Sequence, residues 1–330
     1  MVSSTTKGIS FDDLLIPDIN SKVNSIVNKI NTDITIKLKR KGAVVGLSGG
    51  IDSSVTLALT VKAIGSDNVL GVLMPEKDSS ADSKKLAIQL ANQFNVKTIE
   101  SDITSALEGF GCYAERDAAV NNIFPEYDPL NYTMKIGINS AGINKNIPTL
   151  FYLTIVDKND NSKSKILPLK EYLQIVAASN FKQRSRMSML YYHAERLHYV
   201  VVGTPNKHEV EQGFFVKNGD GAADIMPISN FYKTQVYQLA SYLHIPEDII
   251  KRTPTSDTYS AEQTQEEFFF QLPFKDMDIL WYAYENGYSS SDVSESIGKT
   301  PEQIEAIFHN FSRKQKTTEY LRMPPIKDYL

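Results

Sequence analysis

A doubly wound α/β fold, with a parallel sheet and helices on both faces, is what this chain of 330 residues predicts. Short apolar runs at Ala43 to Leu47, Val69 to Met74, Val96 to Ile103 and Tyr199 to Val202 alternate with helical patterns. The last of these runs suits a strand buried on both faces. The polar motifs singled out below start at the carboxyl ends of such runs, which is where ligands bind in this fold.

Taken in order, Ile19, Val23, Ile26, Val27, Ile30 and Ile34 recur at helical spacing, so residues 18–39 read as an amphipathic helix whose stripe needs cover from the sheet or from a second subunit. The first strand and the helix from Ser53 follow. Val69 to Met74 is the second strand, a helix places Leu86, Leu90 and Phe94 on one face, and Val96 to Ile103 is the third strand. Residues 121–170, rich in Asn, Gly and Pro, read as an insertion; Leu150 to Val156 and Lys165 to Leu167 form a hairpin around Asp157 to Ser164. It is either a surface excursion or a lid beside the site. A helix over Ser185 to Leu197 leads to the fourth strand. Residues 286–330 form a helical C-terminal segment, with helices at Ser290 to Ile297 and Thr300 to Phe308; the second has Thr300 as N-cap, Pro301 in its first turn and Gln303 completing a capping box. Its second helix has too little positive charge for DNA reading. We treat residues 1–330 as a single domain with these additions.

The loop Leu47-Ser48-Gly49-Gly50-Ile51-Asp52-Ser53-Ser54 joins the first strand to its helix. Gly49 and Gly50 let the backbone approach an anion, and the helix start offers free N–H groups. Ser48, Ser53 and Ser54 add hydroxyls. Asp52 would repel phosphate unless a divalent cation lay between them, so the loop implies a magnesium nucleotide. No Gly-Lys-Ser/Thr ending follows, so this is no Walker-type loop, and cleavage at the α-phosphate is expected.

Composition narrows the partners. A formal net charge of -4 argues against nucleic acid. No uncharged apolar stretch approaches membrane-spanning length and Met1 to Asn20 lacks a leader's apolar region, so a cytoplasmic protein is expected. Cys112 is the only cysteine, which excludes an internal disulfide and a multi-thiolate metal site, and no glutaminase constellation surrounds it.

The loop resembles the signature of the ATP pyrophosphatase (PP-loop) superfamily, which has the adenine-nucleotide alpha-hydrolase-like fold. Further motifs choose within it. Gly203-Thr204-Pro205-Asn206-Lys207-His208-Glu209 and Gly213-Phe214-Phe215-Val216-Lys217-Asn218-Gly219-Asp220-Gly221-Ala222-Ala223-Asp224 resemble two segments of ammonia-dependent NAD synthetases. Tyr232-Lys233-Thr234, Pro254-Thr255-Ser256-Asp257 and Gln263-Thr264 follow in that family's order; Asn180 to Met187, with Arg184, matches its Arg-x-Arg-Met helix, and Leu73-Met74-Pro75 with Ser79-Ser80 its adenine-side segment. The resemblance implies ATP and Mg²⁺ as cofactors and deamido-NAD and ammonia as substrates. Asp52 and Glu209 would hold the metal. Lys233 and Thr255 would hold phosphates, Met74, Arg184, Thr204 and Lys217 would contact nucleotide, and Asp220 and Asp224 would line the substrate side. Many relatives are dimers, so a homodimer is expected. Val216 and Asn218 stand where the family has Thr and an aromatic. Those departures and the insertion leave open a PP-loop ligase for another carboxylate, a sugar acid or secondary metabolite, with ammonia from a separate glutaminase. A non-catalytic nucleotide sensor is the remaining alternative.

Overall fold

The computed structural model describes residues 9–138, 150–255 and 258–327, with the backbone alone at 267 and 268. Ser256 and Asp257 of the phosphate motif, the first residues of the chain and part of the 121–170 interval lie outside the described residues.

Helix α1 (Ile19–Thr32) is capped by the Asp18 carboxylate, which accepts from the Ser21 N–H at 2.9 Å. Its stripe is covered by its own chain. Val23, Ile30 and Ile34 are fully buried in the main core against α2 (Ile51–Ile64). Between the two helices runs β1 (Ala43–Gly46); β2 (Val69–Leu73), α3 (Ala81–Gln93) and β3 (Lys97–Glu100) follow. The third strand is shorter than its apolar run because it is the sheet's edge, with Lys97, Thr98 and Glu100 exposed and Ile103 already turning into α4 (Thr104–Gly109).

After α5 (Cys112–Asn121) come β4 (Tyr132–Ile138), β5 (Phe151–Asp157) and β6 (Ser162–Ile166), an antiparallel sheet in that order. The expected hairpin is β5 and β6; its turn is tighter than expected because the Asp157 carboxylate accepts from the Asn159 and Asn161 N–H groups. β4 was not anticipated. Its partner, β5, lies beyond a polar stretch that reads as loop. Apolar side chains of this sheet, among them Met134, Ile136, Leu153 and Ile155, form a core of their own with Ile175 and Tyr259.

Helix α6 (Leu169–Leu197) is far longer than the Ser185 to Leu197 pattern. Its second half packs Met187, Leu190 and Ala194 on the sheet face made by Val44, Leu70, Val72 and Val201. β7 (Val200–Val202) pairs in parallel with β1, giving the order β3-β2-β1-β7, with Val44 opposite Leu70 on one side and Val201 on the other. α7 (Lys207–Gln212), α8 (Lys233–Tyr242) and α9 (Glu247–Lys251) follow. The last two add Val236, Leu239 and Ile249 to the main core on the opposite face from α6, so the sheet is doubly wound. The chain then builds a second helical core from α10 (Phe274–Glu285), α11 (Ser290–Ile297) and α12 (Pro301–Arg322), centred on fully buried Trp281 and closed by Ile9 and Leu14. Among the described residues no helix is long and apolar enough to cross a membrane.

Candidate active site

At the carboxyl end of β1 the chain turns through Gly49 in the left-handed region, φ +73°, where a Cβ would collide with the Ser83 carbonyl. The hydroxyls of Ser53 and Ser54 both return to the Gly50 carbonyl, at 3.0 and 2.8 Å, and Ser48 Oγ lies 3.1 Å from Ser53 Oγ. Ser54 is fully buried and serves the helix, whereas Ser48 and Ser53 face the cleft. Gly50 and Asp52 line a smaller cavity beside it.

Asp52 meets two elements from the far half of the chain. Its carboxylate pairs with Lys233 Nζ at 2.5 Å and accepts from Asn206 Nδ2 at 3.4 Å. Asn206 caps α7 reciprocally: its side chain accepts from the Glu209 N–H, and its own N–H donates to the Glu209 carboxylate at 2.9 Å. That cap aims Glu209 toward Asp52. Burial, then the nearby Asp52 charge, pushes the Glu209 carboxyl up to about 8. Burial disfavours the Lys233 ammonium, but Asp52 and Glu209 outweigh it and hold the lysine charged. Lys233 is fully buried and Asp52 half-buried.

Helix α10 brackets this cluster. Fully buried Asp278 accepts from His208 Nε2 at 2.5 Å and from the Thr234 N–H at 2.8 Å, the neighbours of Glu209 and Lys233. Two turns on, Glu285 accepts from Lys207 Nζ at 2.9 Å and Tyr232 OH at 2.7 Å. One helix face thus fixes both ends of the acid and lysine pair.

Two connecting spaces open from these residues. A cavity of about 140 Å³ is lined by Ser48, Asp52, Thr204, Glu209, Lys233, Arg252 and Thr255. It joins a cleft of about 700 Å³, whose walls include Met74, Arg184, Thr204, Lys217, Asp220 and Thr255. That volume suits a dinucleotide-sized ligand better than a single small acid. Lys217 Nζ donates to the carbonyls of Tyr320 and Met323, at 2.8 and 3.0 Å, and so binds the end of α12 into the cleft wall. Arg184 Nε donates to the Lys217 carbonyl at 3.2 Å. Asp220 accepts from the Val216 N–H at 2.7 Å; the protein around it raises its pKa to about 6, although its side chain stays open to cleft water, which screens the shift.

Most sequence-singled residues therefore converge on the two spaces. Asp224 does not: its carboxylate accepts from the Val201 N–H at 2.7 Å, pinning the chain to β7 outside both cavities. Sequence reasoning missed Arg252, Asn206, Asp278 and Glu285. Asn206 three residues before Glu209 is a capping signal that could have been read; nothing local marks the other three.

A second, buried cluster stands behind the turn at Ser79 and Ser80. Lys182, 2% exposed, donates to Glu76 at 2.9 Å and Asp78 at 2.8 Å; Arg116, equally buried, pairs with Asp78 at 2.5 Å and Asp117 at 2.8 Å. Tyr113 OH donates to Glu76 at 2.6 Å. Glu76 also accepts from the Asp78 N–H, and its own N–H donates to Ser79 Oγ, shaping the turn whose Ser79 and Ser80 line the cleft.

A parallel α/β sheet with a glycine-turned loop, an acid pair and a lysine gathered at its carboxyl edge has the crevice in which enzymes of the nucleotide-handling α/β class bind their ligands. The NAD synthase family model matches residues 22–125 and 149–325, and the chain belongs to that family. It is 46% identical over 291 residues to an NH(3)-dependent NAD(+) synthetase of Rhizobium meliloti (strain 1021), covering 87% of this chain and 86% of that protein. In fold it is similar to an NMN synthetase from Francisella tularensis, with TM-score 0.64, 21% identity and 95% and 99% of the two chains covered. An NH3-dependent NAD synthetase from Campylobacter jejuni, in complex with nitrate, gives TM-score 0.62 at 22% identity over 95% and 100%.

Proposed function

We propose that this protein is an ATP-dependent amide ligase that converts deamido-NAD and ammonia to NAD, AMP and pyrophosphate. The observation that carries the reading is the meeting of Ser48, Asp52, Glu209, Lys233 and Thr255 around one small cavity that opens into a much larger cleft. The nicotinate carboxylate attacks the α-phosphorus of ATP; the bond between the α- and β-phosphates breaks. Lys233, Arg252 and the Ser48 and Ser53 hydroxyls surround the departing pyrophosphate and stabilise the charge that builds on it. Ammonia then attacks the acyl carbon, AMP leaves with the ester oxygen, and Asp220 stands at the cleft as acceptor of the proton shed by nitrogen. The larger cleft shields the adenylate from water.

Asp52 and Glu209 suit a magnesium ion. Both are hard oxygen donors, and the raised Glu209 carboxyl marks a site short of positive charge. When bound there, the ion would neutralise polyphosphate oxygens. Our reading also takes the protein as cytoplasmic and as a homodimer, with ammonia arriving free or from a separate glutaminase. Deamido-NAD is preferred over another carboxylate because the cleft has room for a dinucleotide.

The test is pyrophosphate release. With ATP, Mg²⁺ and deamido-NAD, ammonium chloride should support NAD formation and glutamine alone should not. Cys112 packs against Ile103 and Leu107, and burial pushes its thiol up, so Cys112→Ser should change neither result. Pyrophosphate release that ignores deamido-NAD would sink the substrate assignment.

A further inference from the structure

We infer that β4 is a positioning strand for the phosphate-side loop, holding residues 258–265 in place before any nucleotide arrives. The geometry is direct. The Met134 N–H donates to Ser260 Oγ at 2.9 Å, and the Ala261 N–H donates to the Met134 carbonyl at 3.1 Å. Two residues along the strand, Gln263 Nε2 donates to the Ile136 carbonyl at 2.9 Å, and Lys135 Nζ reaches the Glu262 carbonyl at 3.2 Å. Alternate residues of an antiparallel strand point their backbone groups away from the ladder partner. β4 pairs with β5 on one side only, so the loop takes the edge that would otherwise stay unpaired. Tyr259 anchors the other end of the contact, buried among Met134, Ile136, Leu153 and Ile155.

The docked stretch feeds straight into the site. Thr264 pairs with Thr255 in an antiparallel bridge, and the Gln265 N–H donates to the Pro254 carbonyl at 3.1 Å. Thr255 and Gln265 line both cavities, while Thr258 and Tyr259 line the larger cleft. None of the described residues between 121 and 170 lines either cavity; the inserted sheet meets the cleft through this loop and through Tyr172, which stacks on Phe151. The family match skips residues 126–148, which contain all of β4. A loop tied only at its ends would open locally at low cost. Here four hydrogen bonds and a buried tyrosine fix its middle.

The inference rests on the reading of the smaller cavity as a polyphosphate pocket, and the experiment separates the two. Hydrogen exchange on the ligand-free protein should show the amides of residues 259–264 protected. In Ser260→Ala/Gln263→Ala these amides should exchange at least about tenfold faster, with β1 and β7 unchanged and an unfolding midpoint near that of the parent. The same variant should show a KM for ATP raised about tenfold and a KM for deamido-NAD changed far less. Ser260→Thr, which keeps the hydroxyl, should behave as the parent. Fast exchange of 259–264 in the parent, or a double variant with parental exchange and parental KM for ATP, overturns the inference. Failure of the parent to bind ATP with Mg²⁺ in calorimetry, with those amides protected, would sink the ligase reading and leave the docking on β4 standing.

Discussion

Asp52, Glu209 and Lys233, which line the smaller cavity, and Glu76, Asp78, Asp117, Lys182 and Arg116, which line neither, are clusters with one more acid than base, yet they respond to desolvation in opposite ways. Burial pushes the Asp78 carboxyl up, but the Lys182 ammonium and the Arg116 guanidinium outweigh it and leave it lowered. Glu209 ends high, because its share of the single lysine is small beside the desolvation and the repulsion from Asp52. The count of charges is therefore a poor guide to role. What separates the clusters is how many cations reach each acid: Asp78 pairs with both Lys182 and Arg116, whereas Glu209 accepts from the Asn206 N–H and shares the one Lys233 charge with Asp52. On the function proposed above, the first is incomplete until a cation and phosphates enter; the second, with two cations holding its acids, is complete without a ligand.

The largest effect should come from breaking the incomplete cluster. Asp52→Asn should lower turnover by at least about 10³-fold, while the unfolding midpoint stays within a few degrees because Glu209, relieved of the repulsion from Asp52, ionises beside Lys233; steady-state kinetics and calorimetry read the two effects. Wild-type turnover with a normal Mg²⁺ requirement would remove Asp52 from the reaction. Breaking the complete cluster should do the reverse: Lys182→Met leaves Glu76 and Asp78 buried beside one cation fewer and should cost about 3–5 kcal/mol of stability, measured by urea unfolding. A Lys182→Met protein as stable as the parent but with no affinity for ATP would show that the two clusters are not different in kind.

The smallest effect sharpens the comparison through pH. Glu209 has a folded pKa above its unfolded value, so the folded ligand-free protein holds its proton more tightly and loses stability as pH rises from about 4.5 toward about 8. Mg²⁺ binding needs the carboxylate, so apparent Mg²⁺ affinity should rise across the same window. In Glu209→Gln the fall in melting temperature between pH 5 and 8 should be shallower and Mg²⁺ should no longer restore it. An unchanged slope in that variant would place the titration elsewhere.

How much of this was legible in the sequence divides along the same line. The loop at Ser48 to Ser54 and the four strands of the parallel sheet were readable because each signal is local: glycines at a strand end, apolar runs bounded by turns. The second cluster was not. Glu76 and Lys182 are 106 positions apart, and each alone reads as a solvated charge. α10 was missed for a related reason, since Asp278 and Glu285 acquire meaning only against Thr234 and Tyr232. β4 was hidden because its apolar alternation is short and its partner strand lies across a polar stretch.

The strand order β3-β2-β1-β7 has a consequence for the birth of the molecule. β1 leaves the ribosome long before β7, with the whole inserted sheet and α6 made in between. At about 5–20 residues per second that is a wait of roughly eight to thirty seconds, during which the strand that carries the loop at Ser48 to Ser54 has one open edge. That edge is Ala43-Val44-Val45-Gly46, uncharged and apolar, with no lysine or proline to blunt it. The growing chain thus passes through an interval in which the apolar edge of β1 lies open, until Val200 to Val202 arrive to cover it.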